Sequence, residues 1–228
     1  LDVIYELEKA IDISLSSRPG PVWIEIPMDI QSKNVDSSKL KKFPKNSEKN
    51  ISIDSEISEV MKLIAQSRRP LFWLGNGIRL AHAEQLIEKL LASFKIPALV
   101  SWAGKDMLAF EHPLNMGSAG VYGGRAANFI LQNCDLIISI GTRLALPQIG
   151  YDIKELARGA KLVVNDIDAT EINKLKERIN ISVNVDSKFF INALLNKAEN
   201  HTINSELNTW IEDCNGWKKR FPLVGPEH

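Results

Sequence analysis

Three apolar runs of the chain end in glycine: Gly75 and Gly77 in "LGNGIRL", Gly104 in "SWAGKDM" and Gly141 in "IGTRL". Glycine at the end of a strand lets the backbone turn sharply and approach a ligand closely. The "GNGIRL" turn departs from both common phosphate-binding patterns. A dinucleotide fingerprint wants a third glycine where Leu80 stands, and a P-loop wants Gly-Lys-Ser/Thr, which is absent. A tight strand-to-helix turn with no ligand explains the motif equally well. Asp166 and Asp168 in "VVNDIDATEI" follow another apolar run, where a carboxylate could take a ribose hydroxyl. Asp168 or Thr170 could equally cap the next helix. "GSAGVYGG", residues 117–124, is dense enough in glycine to wrap a flat or phosphorylated ligand, or to be a flexible loop before the helix at Arg125.

Familiar catalytic constellations are missing. His82, His112, His201 and His228 have no metal-ligand spacing, and His112, between Glu111 and Pro113, reads as a loop residue rather than a base. Neither a GxSxG elbow nor an HExxH helix occurs. Cys134 and Cys214 form no CxxC pair, which points to reduced thiols in a cytoplasmic protein, with Cys134 in a packing role. The 28 basic and 28 acidic residues cancel, so composition makes no case for nucleic acid or an anionic membrane. No apolar run reaches the roughly 18 residues of a membrane span, and no signal pattern opens the chain. The residues therefore suggest a binding or architectural part, with no catalytic or metal-ligating residue of its own.

The elements that would position these turns follow an α/β pattern. "LDVIYELEKAIDISL" has helical spacing, with Val3, Ile4, Leu7, Ala10, Ile11 and Leu15 on one face, and begins as an internal piece of a longer polypeptide would. A Pro-Gly turn leads to a short strand predicted over Val22–Ile26. Residues 32–52, rich in Lys, Ser and Asn, read as a solvated linker that includes the Lys39–Lys45 run. Asp54 is the expected N-cap of the next helix. Strands are then predicted in "PLFWLG", "PALVS", "DLIISIG", "KLVVNDI" and "ISVNV". Helices are predicted in "AHAEQLIEKLLASF", "GRAANFILQNC", "YDIKELARG", "ATEINKLKE" and "DSKFFINALLNKA". Unbroken apolar strands alternating with helices predict a Rossmann-like, doubly wound parallel sheet. A last helix over 203–220 carries Leu207, Trp210, Ile211, Cys214 and Trp217 on a face that needs a partner, before an extended tail.

Taken in order, "RPGPVWIEIPMDIQ", "RRPLFWLGNGIR", "IPALVSWAGKDMLAFEHPLNMGSAGVYGGRAANFIL", "CDLIISIGTRL" and "KLVVNDIDATEI" resemble the thiamine-diphosphate-dependent enzymes of the acetolactate synthase type. The resemblance implies that residues 1–31 end a pyrimidine-binding domain and 32–52 form a linker. It further implies that 53–198 form the central Rossmann-like domain and 199–228 lead toward a pyrophosphate-binding domain. "GTRLALPQIGYDIKELAR" and "WIEDCNGWKKRFPLVGPEH" look most like relatives associated with polysaccharide biosynthesis. Enzymes of this kind form a thiazolium ylid that attacks a 2-keto acid and holds the carbanion left by decarboxylation. The resemblance places the activating Glu before Leu1 and the Gly-Asp-Gly motif that holds Mg²⁺ and diphosphate after His228, so this piece alone should be inactive. Homodimers or homotetramers with shared active sites are the family pattern.

The central domain of such enzymes holds FAD without redox use, an ADP-bearing molecule, or nothing. Carried over motif by motif, the implied contacts are Gly75, Asn76 and Gly77, then Ser101, Trp102 and Gly104, then Gly120, Val121, Tyr122 and Gly123. Gly141, Thr142 and Arg143, Asp166 and Ile167, and Asp186 and Ser187 complete them, with Arg143 placed for a phosphate. Flavin-binding relatives carry Arg-Phe-Asp-Asp-Arg after the glycine turn, where this chain keeps Arg143 and continues Leu144, Ala145, Leu146 and Pro147. Their Met-His pair is Val121 and Tyr122 here. Those changes remove flavin contacts while leaving room for an adenine nucleotide. Two other readings compete: a non-catalytic adenine-nucleotide-binding module, and an NAD-dependent deacylase, which would share the "GNGI" turn but lacks a paired acid and base.

Overall fold

A computed structural model describes residues 2–44, 51–198, 204 and 206–224. The chain divides into two compact units, 1–51 and 52–228. In the first, α1 (Val3–Leu15) is followed by a one-turn helix α2 (Met28–Gln31) and a 3-10 turn at Ser37–Lys39. Phe43 is fastened to α1 twice: its N–H donates to Glu8 Oε2 at 2.7 Å, and its ring meets Tyr5 edge-on at 5.3 Å. The strand expected over Val22–Ile26 does not form. A strand exists only through a ladder, and among the described residues nothing pairs with this segment, whose Val22, Trp23, Ile24 and Ile26 are exposed. Residues 45–50 of the expected linker lie outside the described residues.

The second unit is built on five parallel strands: β1 (Pro70–Leu74), β2 (Ala98–Val100), β3 (Leu136–Ile140), β4 (Lys161–Asn165) and β5 (Ile181–Val183), in the order β2-β1-β3-β4-β5. The doubly wound α/β expectation is correct. All five residues of β1 and all five of β3 are buried, which is why these strands are apolar, Ser139 excepted, rather than alternating. The chain runs from β1 outward to β2, then back past β1 to β3 and on to β4 and β5. The strand order reverses between β1 and β3, so the crevice at the switch point lies between their carboxyl ends.

Helices α3 (Asp54–Gln66), α4 (Gly77–Leu80), α5 (Ile87–Phe94), α6 (Arg125–Asn133), α7 (Leu146–Ile149), α8 (Ala169–Lys174), α9 (Ser187–Ala198) and α10 (Glu206–Arg220) surround the sheet. Helix α3 packs with α9, and α9 with α5, on one side, where Phe72 of β1 meets Phe94 at 6.0 Å. Helix α10 covers α6 in antiparallel register: the Arg125 guanidinium lies 5.0 Å from the Phe221 ring, and Phe129 stacks on Trp217 at 6.4 Å. Leu207, Trp210 and Cys214 of α10 are buried, and Trp210 Nε1 donates to the carbonyl of Pro70 at 3.0 Å. The apolar face of the last helix thus has its partner in this unit; residues 203 and 205 of the expected helix lie outside the described residues.

Two local expectations are corrected. Asp54 is the first residue of α3 rather than its cap, and its carboxylate accepts the Ser52 hydroxyl at 3.0 Å. "YDIKELARG" makes a 3-10 turn at Ile153–Glu155 instead of a helix. Ala157 there has φ of +40°, which a right-handed helix does not admit, and Arg178 Nη2 donates to the carbonyls of Leu156, Ala157 and Ala160 at 3.1, 2.8 and 2.7 Å. Among the described residues no helix is long and apolar enough to cross a membrane.

Truncating Trp210 to alanine removes a fully buried ring and leaves the Pro70 carbonyl without its donor. We expect Trp210→Ala to cost about 3–5 kcal/mol in urea denaturation. Cys134 and Cys214 are both buried free thiols, and burial pushes both well above their ordinary value. Neither should react with a disulfide reagent at pH 8 in the folded chain, and both should react promptly in denaturant. Because only the unfolded thiols ionise near their ordinary value of 9.0, stability should hold below that pH and fall as the pH rises above it.

Candidate functional site

The turns after β1 and β3 meet at the switch point. Gly75 N–H donates to the Ile140 carbonyl at 2.9 Å, Gly77 N–H to the Gly141 carbonyl at 2.8 Å, and Gly141 N–H to the Asn165 carbonyl at 3.0 Å. A Cβ on Gly77 would lie 2.7 Å from the Cα of Gly141, and one on Gly75 would collide with the Gly141 carbonyl. Gly141 adopts φ of +59°, and a Cβ there would come within 2.8 Å of both Gly77 Cα and Ser187 Oγ. These glycines are required by chain packing against chain. Thr142, next to them, is buried.

Ser187, at the start of α9, donates from Oγ to Asn165 Oδ1 at 3.1 Å, while Asn165 Nδ2 donates to the carbonyls of Val183 and Val185 at 3.1 and 2.8 Å. Asn165 was not among the expected site residues, yet it ties β4 to the turn after β5. A polar residue inside an otherwise apolar strand was the signal for it. Asp166 Oδ1 accepts the Asp168 N–H at 2.9 Å, and Asp168 Oδ1 caps α8 by accepting the Thr170 N–H at 2.8 Å. Asn184 Nδ2 holds the carbonyls of Asp166 and Ile167, both at 2.9 Å. Asp186 Oδ1 accepts the Lys188 N–H at 2.8 Å in the first turn of α9.

The turn after β2 is joined to the turn after β1. Ser101 N–H donates to the Leu74 carbonyl at 2.8 Å, and Gly104 N–H to the Ser101 carbonyl at 2.9 Å. Arg79 of α4 reaches across with Nη1 to the Ala103 carbonyl at 3.0 Å and Asn76 Oδ1 at 3.3 Å, and with Nη2 to Asp106 Oδ1 at 2.7 Å. The last bond holds the Asp106 carboxyl below the usual carboxylate range. The glycine-dense loop is built, not loose. Asn128 of α6 brackets Gly120, accepting its N–H at 2.8 Å and donating to its carbonyl at 3.0 Å. Val121 N–H donates to the Pro147 carbonyl at 2.8 Å, and a Cβ on Gly120 would lie 2.7 Å from Gln148 Cα. Gly123 is packed equally tightly against the Ser118–Ala119 backbone, and the Ser118 hydroxyl is buried without a partner among the described residues.

Three groups along this edge face solvent. Trp102 and Tyr122, 39% and 76% exposed, place their rings 5.2 Å apart across two loops. Arg143, whose side chain is 56% exposed, stands at the end of the third strand's turn. Its Nε donates to Glu171 Oε1 at 3.2 Å, and Lys174 Nζ reaches Glu171 Oε2 at 2.7 Å. Glu171 is 7% exposed and was not anticipated; its i,i+3 spacing to Lys174 was visible, but nothing in the spacing links it to Arg143. Leu144, buried beside Arg143, sits in the left-handed region at φ of +48°.

Gly75, Gly77, Gly141, Thr142 and Ser187 are thus gathered at the switch point, with Asn76, Ser101 and Gly104 against it. Trp102 pairs with Tyr122, while Asp166, Ile167 and Asp186 serve neighbouring backbone. This arrangement fits what sequence comparison finds. Residues 57–194 match the family described as thiamine pyrophosphate enzyme, central domain. The chain belongs to that family. Among curated relatives of this central domain, a probable acetolactate synthase large subunit of Methanococcus aeolicus is 33% identical over 92% of the chain and 37% of its own length. The acetolactate synthase large subunit of Corynebacterium glutamicum is 28% identical over 97% of the chain and 36% of its own length. The isozyme 2 large subunit of Escherichia coli is 31% identical over 75% and 31%. The chain therefore spans about a third of the length of these relatives.

The glycines of the central domain separate by what surrounds them. Gly141→Ala meets both the left-handed penalty and a backbone collision, for an expected loss of about 3 kcal/mol. Gly150, at φ of +83° and ψ of 179° with nothing within 4 Å of a built Cβ, meets backbone strain alone and should lose about 2 kcal/mol as Gly150→Ala. Chemical denaturation of the two variants checks the order.

Proposed function

We propose that the chain is the central part of an acetolactate-synthase-type enzyme that decarboxylates a 2-keto acid and joins the resulting fragment to an acceptor. The match of residues 57–194 to the family carries this reading, supported by three relatives that are acetolactate synthase large subunits. Thiamine diphosphate, held with Mg²⁺, supplies the carbanion-stabilising chemistry when bound. Among the described residues there is no group of three or more His, Cys, Asp or Glu placed for a metal ion, so no step is assigned to side chains of this chain. In this reading residues 1–31 close the pyrimidine-binding domain, 32–52 link it to the central domain, 199–228 lead to the pyrophosphate-binding domain, and the cytoplasmic enzyme is a homodimer or homotetramer.

Within that enzyme the central domain is a non-catalytic nucleotide holder. The observation that favours it is the line of exposed groups at the switch-point edge: the Trp102–Tyr122 ring pair offers an aromatic face to an adenine, and Arg143 offers donors to a phosphate. An ADP moiety fits these groups better than FAD. Leu144, Ala145, Leu146 and Pro147 bring no charged donor or acceptor side chain beyond Arg143, and Asp166 and Asp186 are engaged with neighbouring backbone N–H groups.

Calorimetry with ADP, FAD and thiamine diphosphate tests the holder directly. The expected result is binding of ADP, weaker or absent binding of FAD, and none of thiamine diphosphate; Tyr122→Ala and Arg143→Ala should each weaken ADP about tenfold. Absence of ADP binding would leave the central domain as a scaffold. The enzymatic reading is tested separately by release of carbon dioxide from pyruvate by the complete gene product with thiamine diphosphate and Mg²⁺.

A further inference from the structure

The loop after β3 and helix α8 enclose a cleft of about 520 Å³. That volume lies within the range of small-molecule sites, about 300–1,000 Å³. Its walls are apolar: Leu144, Leu146, Pro147, Ile149 and Tyr151 from the loop, and Leu175 from beyond α8. Arg143, Glu171 and Lys174 are the charged groups of the lining. The buried Glu171 carboxylate takes one N–H of Arg143 and one of Lys174, and both cations are 56% exposed. A guanidinium carries five N–H donors and an ammonium three, so donors remain on each cation for a further acceptor. The formal charge of the trio is +1.

We propose that this cleft binds a small organic monocarboxylate with an apolar acyl or aryl body. The carboxylate would lie against Arg143 and Lys174, and the body along the walls from Leu146 to Tyr151. Arg143 and Lys174, held side by side on Glu171, set the charge class: a carboxylate that can accept from both cations. The walls set the rest. Ribose hydroxyls or a polar base placed against Leu146, Pro147 and Ile149 would lose water with no partner in exchange. The site is therefore separate from the nucleotide holder proposed above, although Arg143 borders both, and it does not depend on that reading.

Calorimetry with 2-naphthoate and its uncharged counterpart 2-naphthamide tests the proposal. The acid should bind at least about tenfold more tightly than the amide. Lys174→Gln should weaken the acid by about tenfold and leave the amide unchanged. Leu146→Asp, at a half-exposed position where the fold tolerates charge, should weaken both, with thermal unfolding of the two variants confirming that they fold. Saturation with ADP should weaken naphthoate, because both anions draw on Arg143, and failure of ADP to bind would not affect the expected naphthoate result. Equal affinity for acid and amide, no binding of either, or indifference to Lys174→Gln and Leu146→Asp in folded variants would each overturn it.

Discussion

The backbone of the Gly75–Gly77 turn lies against Gly141 so closely that no Cβ fits between them, and the carboxyl edge of the sheet depends on that approach. It fixes how the first crossover leaves β1 and how the chain leaves β3, the two strands between which the order reverses. From this contact the other turns follow in sequence. Ser101 hangs from the Leu74 carbonyl, Arg79 ties the β1 and β2 turns, and Asn165 ties Gly141 to the start of α9 through Ser187. A side chain at any of the three glycines would push apart elements that carry the exposed rings and Arg143.

The same edge shows how polar groups near the ends of buried strands are kept satisfied. Asp168 and Asp186 spend their carboxylates on the first turns of α8 and α9, and Asp166 accepts from the turn between β4 and α8. At the opposite end of the sheet, Asp135 accepts the Ser67 hydroxyl and the N–H groups of Arg68 and Arg69, tying the start of β1 to that of β3. These N–H groups lie at exposed or half-buried positions, so each bond contributes about 1 kcal/mol. Carboxylates at strand ends in this fold are therefore first of all structural, whatever ligand the crevice accepts.

The sheet was legible because its signal is local. Leu71–Leu74 and, Ser139 excepted, Leu136–Ile140 are apolar without alternation, and only a strand covered on both faces asks for that. Helix α10 was legible for the same reason, from apolar residues at spacings of three and four. The failures all involve partners distant in sequence. Nothing within "YDIKELARG" announces that Arg178 will take its carbonyls, and nothing near Arg143 announces Glu171. The glycine loop looked as if it could be loose because its staple, Asn128, belongs to the following helix. Val22–Ile26 has strand composition, but composition does not supply the neighbouring strand.

The turns at this edge are held largely by one another. The glycines meet backbone, the aspartates meet N–H groups, and Asn165 and Asn184 meet carbonyls. A central domain of this kind can change or lose its bound molecule through substitutions at exposed positions such as Tyr122, while the buried scaffold stays as it is. The glycines that first suggested a phosphate cradle are consequently weak guides to the ligand: they report the close crossing of two turns. In the readings proposed above, specificity would rest instead on exposed groups beside them, the Trp102–Tyr122 pair and Arg143 backed by the buried Glu171 carboxylate.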